Sequence, residues 1–106
     1  MRNDSGLHPV GVAVLIEPYE PERRGSMIVL PQDADTRAKM VDQRAIVVEA
    51  GPAAWHDEAA PRAQPGDKVM VTRYAGMMAQ GPRDGKMYRL VNDRDIFCRI
   101  VDEEGV

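Results

Sequence analysis

Cysteine, histidine and aromatic residues are scarce in this chain, and each scarcity closes a class of function. Cys98 is the only cysteine among 106 residues, so an internal disulfide and a thiolate metal cluster are both excluded, and a reducing compartment fits. It sits in an apolar segment with no histidine beside it in sequence, where a buried, unreactive thiol is expected. The two histidines, His8 and His56, lie far apart. The run His56-Asp57-Glu58 cannot turn three adjacent side chains toward one ion, so no metal site is expected. G-x-S-x-G, P-loop and H-E-x-x-H spacings are absent, and the plentiful carboxylates form no defensible pair; no catalytic residue, no cofactor and no enzyme activity are expected. One Trp, one Phe and three Tyr at a formal net charge of −3 offer neither stacking platforms nor a basic groove, which argues against an OB-like nucleic-acid binder and against an anionic membrane surface. No apolar run approaches a membrane span, and Met1-Arg2-Asn3-Asp4-Ser5 leads into no hydrophobic stretch, so a cytoplasmic, soluble protein is expected.

What the chain does have is a series of short strand patterns. Val10 to Ile16 alternates with a period of two, placing Val10, Val12, Val14 and Ile16 on one face and Gly11, Ala13 and Leu15 on the other. β-branched residues on one face suit a strand, bounded here by Pro9 and Pro18. Ala45 to Ala50 predicts a second strand, ended by Gly51-Pro52, with Ala45, Val47 and Glu49 opposite Ile46, Val48 and Ala50. Pro65-Gly66-Asp67 predicts a turn into a third strand over Lys68 to Tyr74. Asp84-Gly85 predicts a tight hairpin joining Met77–Gln80 to Lys86–Val91, both central residues taking positive φ. Asn92 to Asp95 reads as a turn or one helical turn, and Ile96 to Val101 as a last strand with Ile96, Cys98 and Ile100 on one side. The segment Ala53 to Gln64, rich in Ala and Pro, reads as an excursion from the core. Met77-Met78 marks a candidate adaptable surface among otherwise scattered methionines. Short strands, turn signals and no convincing helix predict one all-β domain over residues 1–106, a small β-barrel or sandwich.

The stretch that organises the chain is Gly25-Ser26-Met27-Ile28-Val29-Leu30-Pro31. It is a short apolar run between the polar spans Glu17–Arg24 and Gln32–Lys39. Pro18, Pro21 and Pro31 restrict the backbone and remove donors, while charges on both sides keep the segment solvated. A non-periodic span of about twenty residues exceeds an ordinary connection. It reads as a mobile loop, about 17–39, carrying a small hydrophobic bait; a short core strand is the bland alternative.

Three segments together resemble the GroES-type co-chaperonins, the ring-forming partners of the large chaperonin. Ser26-Met27-Ile28-Val29-Leu30-Pro31 is similar to that family's Gly-Gly-Ile-Val-Leu-Pro pattern. Pro65-Gly66-Asp67-Lys68-Val69 matches its Gly-Asp-x-Val turn and strand. Tyr74-Ala75-Gly76, then Asp84-Gly85-Lys86-Met87-Tyr88, then Asp95-Ile96 through Ile100 follow its Tyr-Gly-Gly, Gly-x-x-Tyr and Asp-Ile-Leu-x-x-Ile order. The resemblance covers about Leu7 to Asp102. The chain departs from the pattern at Val12-Ala13, where the family has Asp-Arg, at Ala45 in place of Gly, and at Ser26-Met27 in place of a Gly pair. The last change should stiffen the loop tip and add apolar area. Such divergence would suit a phage-encoded or specialised relative.

The resemblance implies an irregular GroES-like β-barrel with a mobile loop and, over about 51–64, a roof hairpin or loop. It implies a homo-oligomer, a heptameric ring that caps a GroEL-type chaperonin and encloses unfolded client proteins, with ATP used by the chaperonin and no cofactor bound here. Met27, Ile28, Val29 and Leu30 would bind the chaperonin. Val10, Val12 and Val14 would meet Ile96, Cys98 and Ile100 of the next subunit, since apolar edge strands seek partners. Trp55, His56 and Tyr74 would face the cavity or the roof. The alternative from another class is a small β-barrel scaffold or accessory subunit with Ile28 to Leu30 in its own core.

Overall fold

The computed structural model describes residues 2–19, 43–72 and 75–101. Of the expected loop, about 17–39, residues 20–39 with Met27, Ile28, Val29 and Leu30 lie outside the described residues, as does Tyr74, while Glu17 and Pro18 belong to the first strand instead of the loop. Six strands appear in the described residues: β1 (Ala13–Pro18), β2 (Arg44–Ala50), β3 (Lys68–Val71), β4 (Met77–Gln80), β5 (Met87–Asn92) and β6 (Ile96–Ile100), with a 3-10 turn, Asp93–Asp95, between the last two. They form one six-stranded sheet in the order β4-β5-β1-β2-β3-β6, every neighbouring pair antiparallel. The all-β expectation holds.

This sheet is rolled rather than flat. Four strand spacings separate β5 from β6, roughly 19 Å in a flat sheet. The 3-10 turn that joins them has 3 residues and advances only about 2 Å per residue. The two strands can be joined this way only if the sheet curls on itself, and Val91 of β5 and Ile96 of β6 do pack in one cluster with Val14, Ile16, Val47, Val69 and Val71. A small irregular barrel results, with β4 and β6 as its two open edges among the described residues.

β1 lies at the centre and has both faces covered. Val14 and Ile16 point into the main core, whereas Leu15 points to a second cluster with Val48 and Tyr88; all three β1 residues are fully buried. The period-two reading gives their facing correctly. It starts the strand too early, because Gly11 takes φ 58 and the Ala13 N–H donates to the Val10 carbonyl at 3.1 Å, closing a turn before the strand begins. In β2, Leu15 faces Glu49 and Ile16 faces Val47, so Val48 is a bulge. The extra residue reverses the alternation beyond it: Ala50 packs on the main core instead of sharing Val48's side.

Other turns follow local chemistry. Gly66, at φ 97, turns the chain from β2's partner segment into β3, and Val47 exchanges hydrogen bonds with Gly66 and Asp67 at 2.7 and 2.9 Å. The β4–β5 hairpin is wider than the expected two-residue turn. Gly85 alone has positive φ there, and the Gly81 N–H reaches the Lys86 carbonyl at 2.8 Å across a six-residue loop, Gly81 to Lys86.

The expected excursion at 53–64 is corrected by Trp55 and Ala63, both buried in the main core. An indole this large contributes about 3–5 kcal/mol by filling space, more than a solvated loop could offer. His56, Asp57, Gln64 and the short run Ala59-Ala60-Pro61 face outward.

Candidate subunit and partner interface

The barrel has two open edges, and their residues differ. β4 is short and uncharged, with Met77 and Met78 exposed; Met87 on β5 is exposed as well. Among the described residues β6 pairs only with β3, and on it Phe97 is 69% exposed. The register gives the reason: Val71 faces Ile96 and Met70 faces Cys98, leaving Phe97 unpaired as a bulge. A bulge re-aims the side chains around it. Ile96 remains buried and Ile100 half-buried, while Cys98 is exposed. The expected burial of Cys98 is therefore corrected: it lies on an edge strand with its side chain exposed.

The other half of the expected subunit contact changes shape. From Ala13 to Ile16, β1 is bonded to β5 on one side and β2 on the other. Val14 is fully buried in its own subunit and cannot form an open edge. Val10, by contrast, is 76% exposed and Val12 half-buried, both just ahead of the paired strand. Any contact made by this arm must use the residues before Ala13.

The N-terminal arm is itself tied down on the far side of the sheet. Asn3 Nδ2 donates to Glu49 Oε1 at 2.7 Å and to the Leu7 carbonyl at 2.7 Å, and His8 Nδ1 lies 3.1 Å from Glu49 Oε1. Ser5, fully buried, accepts the Arg83 N–H on its carbonyl at 3.0 Å. The arm and the β4–β5 hairpin thus close the second cluster, where the Tyr88 hydroxyl donates to Asp84 Oδ2. That bond holds the Asp84 carboxyl below its ordinary range, and burial followed by the same bond pushes the Tyr88 phenol up.

Of the cavity or roof candidates, Trp55 is held by polar bonds at both ends. Its N–H donates to Asp93 Oδ2 at 2.7 Å and its indole Nε1–H to the Asp93 carbonyl at 2.9 Å, with Asp93 only 4% exposed. His56 is exposed, with Nδ1 2.9 Å from the Ala53 carbonyl. Sequence reasoning missed Asp93, Arg62 and Phe97. Nothing in spacing or composition marks the carboxylate that receives the indole segment, and a one-residue bulge leaves no trace in an apolar run.

Among the described residues no group of three or more His, Cys, Asp or Glu could hold a metal ion, and no helix is long and apolar enough to cross a membrane. The co-chaperonin GroES of Geobacillus kaustophilus (strain HTA426) is 32% identical over 96 residues, which are 89% of this chain and 99% of that protein. The family model of the chaperonin 10 Kd subunit matches residues 6–100, from the arm through all six strands to the end of β6. With a rolled six-stranded sheet under that match, the chain belongs to the chaperonin 10 Kd subunit family.

Proposed function

We propose that this chain, a co-chaperonin by family, assists chaperonin-mediated protein folding as a ring-shaped lid. The observation that supports it is the family match running from residue 6 to 100 together with the run Met27-Ile28-Val29-Leu30 set between charged flanks. The lid is a homo-oligomer, a heptamer on the family's pattern, and its partner is a GroEL-type chaperonin in the cytoplasm. Unfolded client proteins are enclosed, not transformed; the chain is no enzyme, and nucleotide chemistry belongs to the partner. Subunits meet through the exposed arm around Val10 and Val12 on one side and the open edge of β6, with Cys98 and Ile100, on the other.

Magnitudes explain why a ring is needed. Burying Ile28, Val29 and Leu30 in a groove contributes about 1.5–3 kcal/mol each. Ordering a loop costs about 1–2 kcal/mol per residue, over roughly ten residues. One loop binds weakly or not at all. Several loops on one ring act together, because the first to dock raises the effective concentration of the rest. Weak single contacts also permit release when the chaperonin changes conformation.

The test is Ile28→Asp and Leu30→Asp in the full chain, read by pull-down on a GroEL-type chaperonin with ATP and by native mass spectrometry. Loss of chaperonin binding with assembly intact supports the reading. Normal capping by both variants would sink the loop assignment, and a monomer at micromolar concentration would sink the ring.

A further inference from the structure

The open edge of β6 is not open along its whole length. The Thr72 N–H donates to the Asp95 carbonyl at 3.2 Å, so that carbonyl faces β3. Backbone groups alternate in direction along an antiparallel strand, so those of Ile96 point the other way, toward the free edge. Both are already taken by the same chain. The Ile96 N–H donates to the Asp93 carbonyl, and the Ile96 carbonyl accepts Arg62 Nη1 at 2.8 Å. Directly after Ile96 comes the Phe97 bulge.

Arg62 is fixed in place for this contact. Its Nε lies 2.9 Å from each Glu58 carboxylate oxygen and its Nη2 lies 2.8 Å from Oε2, a planar fork that leaves Nη1 aimed at the strand. The segment carrying it is anchored twice more to the same corner, by Trp55 on Asp93 and by an Asp57–Arg94 ion pair. Trp55 is the one non-glycine among the described residues with a left-handed backbone, φ 56. Such a conformation persists only where its surroundings hold it, and here two bonds to a buried carboxylate residue do so.

We propose that Arg62 is a register stop: by occupying the Ile96 carbonyl it ends the pairing edge of β6 at the bulge, so that the arm of a second copy of this chain can seat only on the residues beyond. Arg62 is a positioning residue for assembly, acting through β6, and Glu58 aims it. The inference rests on the arm-to-β6 contact proposed above. It adds that the segment 51–64, which contributes no strand to that edge, decides the alignment of neighbouring subunits. Without the stop, the N–H groups of an incoming arm gain one more carbonyl to bond and can seat two residues further along β6, the smallest shift that keeps the edge side chains on their face.

The experiment uses the native Cys98 against Val10→Cys or Val12→Cys in the full-length protein, with inter-subunit disulfide formation under a mild oxidant followed in assembled rings. With Arg62 present, one of the two positions is expected to cross-link about tenfold faster than the other, the ratio reflecting one charge-assisted bond. In Arg62→Ala the ratio should fall toward unity, and in Glu58→Gln part of the way, with circular dichroism unchanged in both. Loss of the preference in folded, assembled variants is what a purely structural Arg62 would not produce. An unchanged ratio in Arg62→Ala, or no preference in the parent ring, overturns the register stop while leaving the assembly reading intact. A parent chain that is monomeric by native mass spectrometry overturns the assembly reading, and the register stop with it.

Discussion

The two sides of β1 are sealed by different chemistry. Val14 and Ile16 lie under the segment 51–64, whose Trp55 and Ala63 fill the barrel and whose polar groups bond to Asp93, to backbone and in the Glu58–Arg62 and Asp57–Arg94 ion pairs. Leu15, one residue between them, lies under the N-terminal arm and the β4–β5 hairpin, in a small cluster that ends on the Tyr88–Asp84 bond. One side depends on packed volume, the other on a titratable pair and on exposed polar contacts. Stability should therefore respond to cavities on the first side and to pH on the second.

The largest effect should come from Trp55→Ala, which leaves a large cavity in the main core and removes the indole N–H from the Asp93 carbonyl; about 3–5 kcal/mol should be lost in urea unfolding. Leu15→Ala, in the smaller cluster, should cost about 2–3 kcal/mol. If Leu15→Ala proves the more damaging, the ranking of the two sides is reversed.

Tyr88→Phe sharpens the contrast through pH. The Asp84 carboxyl is held below its ordinary 3.8, so its contribution is present above that value and fades as pH falls through the folded one. The Tyr88 phenol is raised above its ordinary 10.0, so its contribution is present below that value and fades as pH rises through the folded one. The stability gap between the parent chain and Tyr88→Phe should be widest between those limits and narrow beyond both, as read from Tm against pH. A Trp55→Phe variant should show no matching profile. The smallest effect should come from His8→Ala, which removes an exposed contact to Glu49; about 0.5 kcal/mol or less is expected from the same unfolding measurement.

Strand existence was legible in the sequence because apolar alternation and turn residues are local signals. Val14, Leu15 and Ile16 face as their spacing says, and Pro65-Gly66-Asp67 turns where it should. Long-range pairing was not legible. The bulges at Val48 and Phe97 arise from the partner strand's register, which no window along the chain contains. Placing Val10 to Ile16 on an open edge failed for the same reason: β5, which covers β1, lies far along the chain. Trp55 misled because its neighbours Ala, Pro, His and Asp describe a solvated loop, whereas its indole and backbone N–H groups answer to the carbonyl and the carboxylate of Asp93 on another element. Of the interface, the exposed Val10 and Cys98 agree with an edge role, and Val14 does not.

The placement of β1 also governs how the nascent chain can mature. β1, β2 and β3 can zip up as soon as they leave the ribosome, but β1's second flank waits for Ala13 to meet Asn92, near the last part of the barrel to be translated. Until then a strand of the most apolar residues in the protein carries bare amides along one side, an invitation to sticky mispairing between chains. A co-chaperonin built this way is, during its own synthesis, the kind of half-finished polypeptide that folding assistants exist to shelter.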